Sequence, residues 1–180
     1  MSEQDDRRAF LAGTPFFGGL QDAALDRVIA LLKEHRFPET ASVFQEGEQG
    51  RSMFIVHSGE LLKYQSGSSG RMVKLVRFKP GDFLGETSLI AMEPRAFTVV
   101  AEKESHLWEL TNMDLYRLYQ EDVQSYVMVL QNINRELCRR VRWAENRITD
   151  YADEFKSTST QIGLDVKKLR AARSVIKNDK

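Results

Sequence analysis

The chain has 180 residues, 42% of them apolar and 29% charged, and its 26 basic side chains balance 26 acidic ones. That composition excludes a disordered chain and lends no support to a strongly basic nucleic-acid binder, while leaving room for local charged patches. A lone cysteine, Cys138, makes neither an intramolecular disulfide nor a metal site, and no run approaches the roughly 20 apolar residues of a membrane helix. With no apolar leader between Met1 and Arg8, the expectation is a cytoplasmic protein without a transmembrane segment.

Residues 9–36 read as helical, with Asp22 placed to cap a helix that carries Leu25, Val28, Ile29, Leu31 and Leu32. Pro38 blocks helical continuation, because it lacks an amide proton and restricts the residue before it. From Ala41 the period shortens. Val43, Phe54–Val56, Leu61-Leu62, Val73, Leu75, Val76 and Phe83 fall in short runs divided by glycine and proline turns, which predicts an antiparallel β-roll. A strand pair is expected at Ala96–Ala101 and His106–Leu110.

From Asp114 the helical period returns. Val123, Val127, Leu130, Asn134, Leu137, Val141, Ala144, Ile148, Tyr151 and Phe155 are spaced alternately by four and three residues, the repeat of a left-handed coiled coil. Asn134 falls at an a position, where a buried polar residue sets register and favours two strands. The segment 123–155 is therefore expected to form a homodimer, the alternative being a helix that only docks back on the roll. Ser157–Thr160 and Gly163 are expected to interrupt this helix. Beyond them Ile162, Val166, Leu169, Ala172 and Ile176 trace an apolar stripe beside Lys167, Lys168, Arg170, Arg173 and Lys177. That tail is either a solvated face or a surface for an acidic partner, lipid or nucleic acid. The predicted fold class is α+β: N-terminal helices, a jelly-roll-like barrel holding one short helix, and a long C-terminal dimerisation helix. The expected divisions are 1–119, 120–156 and 157–180.

The interruption between Gly81 and Val99 carries the chemistry. Gly85 permits a tight turn, and a helical turn starting near Glu86 would point unpaired amides outward, where they bind anions without side-chain charge. Nine residues on, Arg95 follows Pro94 and offers a fixed fork of donors suited to phosphate oxygens. A carboxylate beside a phosphate must face something else, and a ribose hydroxyl is the natural partner for Glu86. Together they describe a nucleotide. The alternative is that Glu86 and Arg95 simply pair with each other.

Gly85-Glu86-x-x-Leu89 with Pro94-Arg95-Ala96-x-Thr98-Val99 resembles the phosphate-binding cassette of cyclic-nucleotide-binding domains, the superfamily of catabolite activators and protein kinase A regulatory subunits. The likeness extends over Phe16 to Ile148, including Phe44–Gly47, Ile55–Gly59 and Leu107–Leu110. It implies that Arg95 clamps a cyclic phosphate, that Glu86 accepts from the 2′-hydroxyl, and that Gly85, Thr87, Ser88, Ala96 and Leu75 line the pocket. It also implies a lid from the long helix, with Arg140 and Val141 near the base and Trp143 close by. Ala96 stands where cGMP-selective members commonly carry a hydroxyl, so cAMP is the expected ligand, ahead of cGMP and cyclic di-GMP. For the last of these, Arg139, Arg140 and Arg142 would supply extra phosphate contacts.

Three positions depart from the family pattern. Ser88 replaces an alanine and Leu84 a phenylalanine. Phe97 replaces an alanine and, by strand alternation, shares a side with Arg95, where it crowds the pocket, stacks on the base or fills the roll. After Ile148 no winged helix-turn-helix pattern follows, so direct DNA binding is not expected and a separate downstream protein is. His35, His57 and His106 are scattered singly as surface or edge-strand residues, and no nucleophile–base pair or metal spacing appears. The expectation is a metal-free cyclic-nucleotide-binding regulator rather than an enzyme; the alternative is a ligand-free dimeric scaffold.

Overall fold

A computed structural model describes the backbone of residues 3–177 and the side chains of residues 4–155. It comprises two compact units, Met1–Asn134 and Arg135–Lys180.

The first unit opens with α1 (Glu3–Ala12), a 3-10 turn at Pro15–Phe17 and α2 (Asp22–Leu31). Leu11, Phe16, Phe17, Leu25 and Val28 are buried, so these short helices are held by their apolar faces rather than by length. The single helical stretch expected over 9–36 is broken twice. Gly13 and Gly18-Gly19 end helical turns, Gly19 with φ +80°, and Lys33–Phe37 is a strand, β1. Its five residues pair antiparallel with β8 (Ser105–Thr111), from Lys33 opposite Glu109 to Phe37 opposite Ser105. Cross-strand pairing overrides a local pattern too short to show its own period. Asp22 does not cap α2 from outside: Gln21 is the cap residue, without a side-chain bond, and Asp22 lies in the first turn.

The remaining strands are β2 (Ser42–Phe44), β3 (Ser52–Ser58), β4 (Leu61–Ser66), β5 (Met72–Phe78), β6 (Phe83–Leu84) and β7 (Thr98–Ala101). Among the described residues they form two antiparallel four-stranded sheets, ordered β1-β8-β3-β6 and β2-β7-β4-β5. The strands expected as a pair, β7 and β8, thus belong to opposite sheets. A core of Phe44, Phe54, Val56, Leu61, Phe78, Leu84, Phe97, Val99 and Leu107 joins the two sheets. The short helix α3 (Glu86–Ala91) interrupts the roll between β6 and β7.

After β8, α4 (Asn112–Glu121) begins with a capping box. The Thr111 hydroxyl accepts from the Asp114 amide, and the Asp114 carboxylate accepts from the Thr111 amide at 3.1 Å. The last helix, α5, runs from Val123 to Lys177. The expected interruption at 157–163 is absent: serines, threonines and one glycine each cost about 1 kcal/mol or less in a helix, too little to end a long one. Within the first unit, α5 buries Ser125, Val129 and Ile133, each four residues from the next along one face, and Asn132 beside Ile133. Asn132 Nδ2 donates to the carbonyls of Phe16 at 2.9 Å and Gly18 at 2.8 Å, tying the helix to the 3-10 turn. Val123 and Val127, on the heptad seam, stay exposed.

The second unit is the rest of α5. On it Val141, Trp143, Ile148, Tyr151 and Phe155 are all more than half exposed. The stripe expected over 162–176 lies outside the residues whose side chains are described.

Candidate functional site

Arg95 is the centre of the site. Its backbone is fastened on both sides, its amide donating to Glu48 O at 2.7 Å and its carbonyl accepting from Gly47 N–H at 2.8 Å. Gly47 adopts φ +88°, which turns the loop after β2 back against Pro94-Arg95. Alternation carried from β7 then turns Arg95, Phe97 and Val99 inward and leaves Ala96 exposed.

Arg95 is buried, at 6% exposure. Nη1 donates to the carbonyls of Ser52 at 2.7 Å and Gly85 at 3.3 Å, and Nη2 to the Ser52 hydroxyl at 3.1 Å. Its carbon stands 4.1 Å from the Phe44 ring centroid, within cation–π range. Burial holds the Arg95 pKa below its ordinary value, opposed by the charges of Glu109, Glu48 and Glu86. An arginine stays charged through such a shift, so the fold keeps a cation nearly out of water.

Two glycines make room for it. A Cβ at Gly85 would lie 2.6 Å from Arg95 Nη1, and one at Gly50 would lie 2.4 Å from the Ser88 Cβ and 3.0 Å from Arg95 Cδ. Gly85 also has φ +83° and stands as N-cap of α3. Glu86 opens that helix at 3% exposure, beside Ser88 at 3%, while Thr87 faces outward. Gly85, Glu86, Ser88 and Arg95 are therefore gathered in one place.

The other expected site residues divide. Phe97 belongs to the core between the sheets, 5.6 Å from the Phe44 ring, with Lys63 Nζ 3.8 Å above its face. Leu75 is 44% exposed on β5, at the bulge where Val76 pairs with Lys63 and Lys74 with Tyr64. Arg140 and Val141 belong to the second unit, where Arg140 Nε donates to Glu136 at 3.2 Å and Val141 is 56% exposed.

Nothing in the sequence marks Ser52, Phe44 or Gly50 as site residues. Ser52 heads β3 and Gly50 precedes it, and only the approach of Arg95 distinguishes them from other strand and turn residues. Nor are all the histidines isolated. β3 and β8 are neighbours, and His57 Nδ1 meets His106 Nδ1 at 3.0 Å, with the His57 ring stacked on Trp108 at 4.4 Å. His35, on the edge strand β1, bonds Glu109 at 2.9 Å. Among the described residues no cluster of three or more His, Cys, Asp or Glu is arranged to hold a metal ion, and no helix is long and apolar enough to cross a membrane.

Residues 34–122 match the family described as cyclic nucleotide-binding domain. A cyclic AMP receptor protein of Thermus thermophilus is 26% identical over 135 residues, 75% of this chain and 61% of that protein. A cAMP-dependent protein kinase regulatory subunit of Neurospora crassa is 26% identical over 110 residues, 61% of this chain but 28% of that protein. The crystal structure of a cyclic nucleotide-binding domain from Methylobacillus flagellatus superposes with a TM-score of 0.75 at 20% identity, covering 80% of this chain and 83% of that one. The chain thus spans less than two thirds of the length of either sequence relative.

Proposed function

Because the chain belongs to the cyclic nucleotide-binding domain family through residues 34–122, we propose that it is a cytoplasmic cAMP sensor that signals to a separate protein through a dimeric α5, without catalysis of its own. The observation that carries this reading is the buried guanidinium of Arg95, gathered with Gly85, Glu86 and Ser88 and left in place by Phe97, which fills the roll instead. A cyclic phosphate is the anion such a fork suits, and Glu86 is the acceptor for the 2′-hydroxyl. Thr87 and Leu75 complete the proposed pocket wall. The exposed Ala96 brings no hydroxyl to a guanine, and the Thermus and Neurospora relatives are named for cAMP.

Output through α5 is supported by its two faces. One docks Val129, Asn132 and Ile133, while the seam of Val123, Val127, Val141, Ile148, Tyr151 and Phe155 is exposed. A second copy covering that seam would bring Arg140 and Val141 into play as the lid. Ligand then acts by population shift, binding one arrangement of the helix better than another.

Titration calorimetry against cAMP, cGMP and cyclic di-GMP tests the reading. cAMP should release heat with the wild type and none with Arg95→Ala, whose backbone bonds to Gly47 and Glu48 do not need the side chain. Cyclic di-GMP binding in place of cAMP would move the assignment to a dinucleotide. No heat with any of the three would leave a ligand-free scaffold.

A further inference from the structure

Ser52 is not among the residues that the cassette accounts for, yet it takes more of the Arg95 guanidinium than any other residue does. A guanidinium carries five N–H donors in one plane. The Ser52 carbonyl and hydroxyl and the Gly85 carbonyl take three of them, two from Nη1 and one from Nη2. Among the described residues Nε meets no acceptor and Nη2 meets one, so the Nε–Nη2 side edge of the fork still has hydrogens to give. That edge is the one that meets two oxygens of a single phosphate in parallel.

The surroundings fix the plane as well. Phe44 lies 4.1 Å from the guanidinium carbon, and neither Gly50 nor Gly85 has a side chain to crowd the arm. Any residue at position 52 would offer the carbonyl. The second acceptor is the side-chain hydroxyl, which an apolar residue there would lack, so the identity of Ser52 matters and not merely its backbone. Ser52 is 7% exposed, which keeps that hydroxyl largely away from competing water.

We propose that Ser52 is a positioning residue for anion recognition: it ties down the end of the Arg95 fork and turns the Nε–Nη2 edge toward a ligand phosphate. The inference deepens the sensor reading and rests on it only for the identity of the ligand.

The test compares wild type, Ser52→Ala and Ser52→Thr in two measurements. Calorimetry with cAMP should show Ser52→Ala at least tenfold weaker, about 1.4 kcal/mol, and Ser52→Thr restored to the wild-type value. In nitrogen-edited NMR of the ligand-free proteins, the tethered Nη hydrogens of Arg95 should be resolved in the wild type and in Ser52→Thr. In Ser52→Ala the Nη2 hydrogens should average, while Nη1 keeps its two carbonyl acceptors. Equal cAMP affinity in all three proteins overturns the proposal, as do averaged Nη signals in the wild type. If the wild type takes up no cyclic nucleotide, the sensor reading falls by itself, and the NMR comparison alone decides whether Ser52 orients Arg95.

Discussion

Gly85 gives up a side chain so that Arg95 can lie against its backbone: a Cβ there would stand 2.6 Å from Nη1, and the residue sits at φ +83°. Both features forbid an ordinary residue. Gly85→Ala should therefore lower stability by about 1–2 kcal/mol through backbone strain alone and push the guanidinium off its acceptors. The expected result in urea denaturation and calorimetry is a modestly destabilised protein whose cAMP affinity falls by more than the stability loss explains. Wild-type affinity in Gly85→Ala would show that Arg95 recognises the anion from some other position.

Phe97 makes the opposite prediction. It is 9% exposed and packs with Phe44 in the core between the sheets, so its removal opens a cavity rather than a binding site. Phe97→Ala should cost about 3–5 kcal/mol, read from the denaturation midpoint. The affinity of the molecules that remain folded should change less than tenfold, under about 1.4 kcal/mol. A tighter ligand complex in the variant would mean that the ring obstructs the pocket after all.

These two residues also mark how far the sequence is legible. Gly85, Glu86 and Arg95 were visible because each residue type has a chemical reason to sit at its spacing, and the inward turn of Phe97 followed from alternation out of β7. Ser52 was not, since a serine opening a strand looks like any other until the fold brings an arginine 43 positions away onto it. β1 is hidden in the sequence because the apolar pattern of α2 runs into Leu31-Leu32 without a break, and the five residues that follow acquire their strand character from β8. Likewise His57 and His106 are 49 residues apart, and only the pairing of β3 with β8 makes them neighbours. In each case the missing information is register, which no local window contains.

That histidine pair gives a pH dependence. His57 titrates below its ordinary value of 6.5, first because burial penalises the charged ring, then because His106 and Arg7 repel it, with Glu34 acting the other way. A bond between the two Nδ1 atoms also requires one ring to supply a proton and the other to accept it. The unfolded chain therefore binds the proton more readily than the fold does. The sign follows: His57 contributes stability that is complete above pH 6.5 and is lost as the pH falls below it. Thermal melts between neutral and mildly acid pH should show a falling midpoint that flattens in His57→Gln. The same slope in variant and wild type would assign the effect to other groups.

The seam of α5 is where the proposed dimer can be broken without touching the cluster of Gly85, Glu86, Ser88 and Arg95. Val127 and Ile148 are 44% and 67% exposed, so a charge at either position leaves the core of the first unit intact. In a two-stranded coil the same charge would lie at a buried position against its counterpart, where like charges cannot be solvated. Sedimentation equilibrium should give a dimer for the wild type and a shift toward monomer for Ile148→Glu, with an unchanged urea midpoint for the roll. Asn134→Leu should act in the other direction: it removes the polar a position that selects two strands, so species larger than a dimer are expected. A wild type that sediments as a monomer, with and without cAMP, would end the case for output through a dimeric helix and leave the roll to signal alone.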